Sequence, residues 1–250
     1  ERSDMSGEAK SRADISMPGV QEKLLKAIKK TGKKVVVLVM SGRPLIFNET
    51  TEQADALLYT WFLGSEAGNA MAKVLFGDYN PSGKLPITFP RAQGQIPIYY
   101  SYKSTGRPLT EDDNPYRSSY IDVSNKPALA FGYGLSYTTF TMDDLQLSKN
   151  RLEINDSLNV SVTVKNTGEY VGEEVIQLYL QDIAASVVRP VKELKDFKKI
   201  ELKPNESKTV TFTINMEKLS FYNEQMQWGV EPGEFKLMIG YSSAHIVMEK

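Results

Sequence analysis

Thirty-one Asp and Glu residues, one histidine and no cysteine bound the chemistry open to this 250-residue chain. Without thiols there are no disulfides, thiolate metal sites or cysteine nucleophiles. The lone imidazole, His245, cannot build a multi-histidine metal centre, and beside Ile246 and Val247 it reads as structural rather than as part of a Ser-His-Asp triad. Catalysis would therefore run on carboxylates. Glycoside hydrolysis is one reaction that uses a pair of them, one acid to protonate the leaving oxygen and a second carboxylate as nucleophile or base. Composition nominates none of the acids, since most carboxylates are solvated surface charges. Glu8 stands a little apart: Ser6-Gly7 before it permit irregular backbone, and Arg12 follows four residues later. On the residues alone, Glu8 and Arg12 read equally as a helical ion pair worth a few tenths of a kcal/mol.

Two further groups invite chemistry. Gly64-Ser65-Glu66-Ala67-Gly68-Asn69-Ala70 opens a helix, as phosphate loops do, but no Lys follows at P-loop spacing and the glycines do not match a dinucleotide fingerprint. Small residues there are expected to let a helix lie close to a sheet. Trp61 and Trp228 offer flat apolar faces on which a sugar could stack, although a core position is the stronger expectation for each.

The elements that position these residues fall into two halves. In the first, Pro18 suits a first helical position, Val20, Leu24, Leu25 and Ile28 share one face, and Lys29, Lys30 and Gly32 close the helix. The unbroken run Val35–Met40 is apolar on both faces, as in a parallel sheet covered by helices. Residues 56–62 form a second candidate strand, and Ala67, Ala70, Met71, Val74 and Leu75 a second helix ending at Gly77. Two strands are too few for an open sheet of this kind, which usually has about 5 or 6, so the rest of the domain is expected upstream of Glu1, the simpler case, or from a partner. The absence of a starting methionine or leader-like segment also suggests a piece of something longer. From Lys84 to Phe140 prolines and tyrosines punctuate an ordered connection, with Tyr99, Tyr100 and Tyr102 expected to pack on a surface. Beyond it, alternation in Leu158/Val160/Val162/Val164, in Val175/Gln177/Tyr179/Gln181 with a partial offset, and in Val210/Phe212/Ile214 indicates an antiparallel sandwich. The expected class is α/β followed by all-β: 1–92 as the end of an α/β sandwich domain, 93–140 as a connecting segment and 141–250 as a β-sandwich. A net charge of −1 argues against nucleic acid, and no apolar stretch reaches membrane-spanning length.

Longer motifs add a family. The runs Ala54-Asp55-Ala56, Trp61 to Ala70 and Val74 to Pro90, together with Gln95–Tyr100, Thr105-Gly106-Arg107-Pro108, Phe131–Phe140 and Arg189-Pro190-Val191-Lys192-Glu193-Leu194, resemble the C-terminal part of glycoside hydrolase family 3. The likeness covers nearly the whole chain in order and points to the periplasmic β-glucosidases of Gram-negative bacteria. It implies the end of an α/β sandwich domain followed by a fibronectin type III-like domain, with an upstream (β/α)8 barrel of the same chain supplying the nucleophilic aspartate. It implies a β-glucoside or oligosaccharide substrate, no cofactor and no metal, and a periplasmic or secreted setting. Related members carry the general acid/base in a Glu-Gly-X-Asp-Arg motif. Glu8-Ala9-Lys10-Ser11-Arg12 falls at that place, departing from it at Ala9 and Ser11. Glu8 is thus the implied acid/base, Arg12 its orienting and substrate-binding neighbour, and Arg107 a second substrate-binding candidate on a loop that could equally be a packed interdomain loop. The resemblance leaves β-xyloside open beside β-glucoside. A carbohydrate-binding or structural module without catalysis is the other class to weigh. It would need exposed aromatics on the sandwich, for which Tyr222 and Trp228 are candidates, although both sit among expected core positions.

Overall fold

The computed structural model describes residues 9–104, 106–107 and 116–250. The chain divides into two compact units: residues 1–78, 87–98 and 119–129 form the first, and 79–86, 99–118 and 130–250 the second. Among the described residues the regular part of the first comprises α1 (Gln21–Lys29), β1 (Val36–Val39), α2 (Asn48–Gln53), β2 (Ala56–Tyr59) and α3 (Ala67–Leu75), with a short 3-10 turn at Gln93–Gln95. β1 and β2 pair in parallel, Val36 opposite Ala56 through Val39 opposite Tyr59, as the doubly apolar run requires. α2 occupies what the sequence marks only as a connection, since its NETTEQ stretch lacks an apolar stripe. Phe47, Tyr59, Trp61 and Phe89 form an aromatic core, the Phe47–Phe89 rings meeting edge to face at 5.5 Å. Trp61 accordingly serves packing.

Much of the apolar surface expected to be buried in this unit is open. Only Leu25 of α1 is buried, while Val20, Leu24 and Ile28 are exposed, and no residue of α3 is buried. A Cβ added at Gly64 or Gly68 would meet no atom within 4 Å, so among the described residues these glycines serve no close approach of helix to sheet.

Asp55 ties the near end of the sheet together. Its carboxylate accepts from Lys29 Nζ at 2.6 Å, Lys34 Nζ at 3.0 Å and the Val35 amide at 2.8 Å. The Lys29 hydrogen bond first, then that of Val35, then Lys34, holds the carboxyl far below its usual range. A depressed folded pKa contributes stability above the unfolded value of about 4 and loses it as pH falls through the folded one. Asp55→Asn is therefore expected to lower the urea midpoint at pH 7, with the two proteins converging as the medium is acidified below about pH 3. Parallel midpoints at every pH would disprove this role.

The second unit is a β-sandwich. β3 (Phe140–Leu147), β4 (Ser157–Asn166) and β7 (Ser207–Asn215) form one antiparallel sheet in the order β3-β4-β7. β5 (Gly172–Asp182), β6 (Glu193–Leu202), β10 (Phe235–Ser242) and β11 (His245–Glu249) form the other, in the order β11-β10-β5-β6. The short helix α4 (Met216–Leu219) leads into a small hairpin of β8 (Phe221–Tyr222) and β9 (Trp228–Gly229). Val160, Val162, Val164, Val210, Phe212 and Ile214 enter the core from one sheet, and Ile176, Leu178, Leu180, Leu202, Leu237 and Ile239 from the other. Adjacent side chains on a strand point to opposite faces. On β5 the core-facing set is thus Ile176/Leu178/Leu180, the opposite parity from Val175/Gln177/Tyr179/Gln181. Gln177 and Tyr179 are buried as well, but on the outer face. There Gln177 Nε2 donates to the Gly132 and Tyr241 carbonyls and Tyr179 donates to Gln177 Oε1, with burial holding the Tyr179 phenol above its ordinary pKa. Gly132 lies at φ +80°, and a Cβ there would collide with Gln177. Tyr100 stacks on Phe131 at 4.3 Å, as expected of a connecting tyrosine; Tyr99 and Tyr102 are exposed instead.

Candidate functional site

Glu8, the implied acid/base, lies outside the described residues. The chain that follows it is irregular, not helical, up to α1, so Arg12 lies on no helix and the helical ion-pair reading has no helix at Arg12 to rest on. Arg12 is half-buried, its Nε reaching the Asp14 carbonyl at 3.5 Å. Asp14 accepts from the Ser16 amide at 2.8 Å, a local turn in which the Ser16 bonds hold the carboxyl below its usual value. The segment is then anchored to the first unit. Gln93 Nε2 donates to the Ala13 carbonyl at 2.7 Å, the Ile46 amide donates to the Ile15 carbonyl at 2.9 Å, and Ser16 bridges Ile46 in parallel. Arg107, by contrast, is exposed and belongs to the second unit.

The long motifs have a second, structural content that sequence reasoning missed. Glu174 and Asp182 stand at the two ends of the core-facing parity of β5, each below a tenth exposed. A buried carboxylate needs a cation and hydrogen bonds. Lys84, from Pro81-Ser82-Gly83-Lys84-Leu85-Pro86, meets Glu174 at 2.7 Å and donates to the Gly134 carbonyl at 2.9 Å. Around it Ser82 Oγ donates to Glu173 at 3.0 Å, and Asn80 donates to the Val171 carbonyl while accepting from Ser136 Oγ and the Tyr137 amide. The Leu85 amide donates to the Tyr133 carbonyl, and the Gly132 amide to that of Leu85. A Cβ at Gly134 would strike the Gly83 carbonyl, so the two loops close only over glycine.

At the other end of β5, Arg189 of Arg189–Leu194 approaches Asp182 at 3.9 Å, forms an ion pair with Glu193 at 2.6 Å and lies 4.3 Å over the Phe221 ring. Burial pushes the Asp182 carboxyl up, with Arg189 pulling it down. The adjoining cavity, about 10 Å³, is lined by Asp182, Arg189 and Glu193. It has room for about one water and none for a sugar. The available signal was an acid placed in step with Ile176, Leu178 and Leu180. Among the described residues no cluster of His, Cys, Asp or Glu suits a metal ion, and no helix is long and apolar enough to cross a membrane.

Comparison with known proteins is concordant with the motifs. Residues 1–137 match the glycosyl hydrolase family 3 C-terminal domain, and residues 174–243 match a fibronectin type III-like domain. The chain is 54% identical, over 97% of its length, to a protein of Salmonella typhimurium named periplasmic beta-glucosidase, of which it covers 32%. It is 44% identical, over 95% of its length, to a beta-xylosidase of Formosa agariphila, again covering 32% of that protein. The crystal structure of a beta-glucosidase from Listeria innocua in complex with glucose superposes with a TM-score of 0.93 at 46% identity, over 97% of this chain and 34% of that one. The chain thus spans about a third of the length of these relatives. With an α/β unit, a fibronectin-like sandwich and both domain matches in sequence order, the chain belongs to glycosyl hydrolase family 3 and carries the family's C-terminal domain.

Proposed function

We propose that this chain is the C-terminal portion of a retaining β-glucosidase that removes terminal non-reducing β-D-glucosyl residues, and that Glu8 is its general acid/base. The observation that carries the reading is the family match joined to high identity with relatives named beta-glucosidase. The exposed apolar face of α1 supports the further point that more protein covers the first unit. In this reading 1–92 closes an α/β sandwich domain, 93–140 connects it to the fibronectin-like domain 141–250, and an upstream (β/α)8 barrel contributes the nucleophilic aspartate. Substrate is a β-glucoside or oligosaccharide, and the setting is periplasmic or secreted.

The chemistry follows from two carboxylates held about 5–5.5 Å apart across the glycosidic bond. The barrel aspartate attacks the anomeric carbon while Glu8 protonates the departing oxygen. Glu8, now a carboxylate, deprotonates the water that resolves the glycosyl-enzyme. A general acid in this role needs an environment that favours its protonated form, and Arg12 is the neighbour proposed to orient it. Arg107 binds substrate from the Thr105–Pro108 loop.

The test is hydrolysis of an aryl β-D-glucoside by the protein as its gene encodes it, with the product anomer followed by NMR. β-Glucose as first product is expected, and no turnover by these 250 residues alone. α-Glucose first, or no hydrolysis by the whole protein, would overturn the reading. The beta-xylosidase relatives at 43% and 44% identity favour one alternative, a β-xylosidase, which faster release of xylose than of glucose would establish.

A further inference from the structure

The β8–β9 hairpin presents an exposed aromatic pair. Phe221 is buried beneath the Arg189 guanidinium, 3% exposed. Strand alternation then turns its neighbour Tyr222 outward. The register pairs Tyr222 with Trp228 and Phe221 with Gly229, so Trp228 must share that outer face. Both rings are 57% exposed, 5.0 Å apart and inclined at 59°. This overturns the expectation that Tyr222 and Trp228 sit in the core: the short hairpin buries one side only, and Gly229 leaves Phe221 to fill it. The turn between them is fixed. Asn223 Oδ1 accepts from the Gln225 and Gln227 amides, the Asn223 amide donates to the Gln227 carbonyl, and that of Met226 to Asn223.

We propose that Tyr222 and Trp228 form a docking platform for the apolar ring face of a β-linked glucan. Each exposed ring offers an apolar face on which a pyranose can stack, the two faces being inclined to one another. Their surroundings are amide and carboxylate, with Glu224, Gln225 and Gln227 exposed on the turn, the groups that hydrogen-bond sugar hydroxyls. A protein partner fits less well. A stable interface needs roughly 800 Å² on each side with several apolar anchors, and beyond the two rings the turn adds only Met226 as an exposed large apolar residue. The pre-set ring positions spare the ordering that flexible aromatics would lose on binding. The choice of sugar rests on the function proposed above, whereas the exposure and pairing of the rings do not.

The platform is tested with the protein as its gene encodes it, by affinity electrophoresis in laminarin, with pullulan as the α-linked control and gluconolactone present to block turnover. Retention in laminarin alone is expected. Trp228→Ala and Tyr222→Ala should each weaken it at least about tenfold without shifting the melting temperature, and Trp228→Phe should restore most of it. The proposal is overturned by no retention of the wild type, by equal retention of Trp228→Ala, or by Trp228 fluorescence shielded from acrylamide, which would mean that protein covers the rings. Failure here with intact aryl-glucoside turnover leaves the function reading standing. Retention without turnover does the reverse.

Discussion

Lys84→Met should cost the folded protein about 3–5 kcal/mol, because it leaves the Glu174 carboxylate buried at the end of the β5 core face without its cation. Both side chains are nearly inaccessible, 11% and 7% exposed, so solvent screening cannot make good the loss. The Gly134 carbonyl loses a donor at the same time, and the Asn80–Lys84 strap loses its central anchor on the sandwich edge. Glu174→Gln alone should be less severe, since an uncharged amide takes the place of the buried anion. The informative variant is the double replacement Lys84→Met with Glu174→Leu. Removing both charges relieves the desolvation of each, so stability should return to within about 1–2 kcal/mol of wild type. Urea unfolding of all four proteins reads this directly. A single Lys84→Met variant within about 1 kcal/mol of wild type would show that the pair is structurally idle.

That pair also marks where the sequence could be read and where it could not. The alternation of Val160, Val162 and Val164, or of Val210, Phe212 and Ile214, announces half-buried strands, because one face is core and the other solvent. On β5 both faces are covered, one by the sandwich core and one by Phe131–Tyr133 and Tyr100, so Gln177 and Tyr179 are as buried as Ile176 and Leu178 and periodicity cannot choose the core face. Residues Val36–Val39 were legible as a parallel strand from their doubly apolar run; α2 was not, because NETTEQ carries no stripe. Trp228 misled for a geometric reason. A tryptophan two residues before the core neighbour Val230 looks buried until the Tyr222↔Trp228 register turns it out. For the site, the Glu8–Arg12 motif was legible only through family likeness, since a carboxylate four residues from an arginine has no chemistry of its own. Asp55 and Glu174 needed the third dimension, since Lys34 lies 21 residues from Asp55 and Lys84 is far from Glu174 in the sequence, in another segment of the chain.

The second large effect concerns catalysis. Losing the acid/base should leave binding intact and slow the step that needs a proton, typically by about a hundred- to ten-thousand-fold. The loss depends on the aglycone. A poor leaving group needs protonation as it departs, whereas a good one leaves unaided, so its first step should be barely slowed and deglycosylation should become limiting. Azide attacks the glycosyl-enzyme without surrendering a proton, and so replaces only the second of the two roles.

The most direct measurement therefore compares wild type with Glu8→Gln, in the protein as its gene encodes it, on aryl β-glucosides of poor and good leaving groups with and without azide. The account predicts a large loss for the poor leaving group, a burst with the good one, and turnover restored by azide as the β-glucosyl azide. Normal turnover of every substrate would contradict it, making Glu8 an ordinary surface acid and placing the proton donor elsewhere.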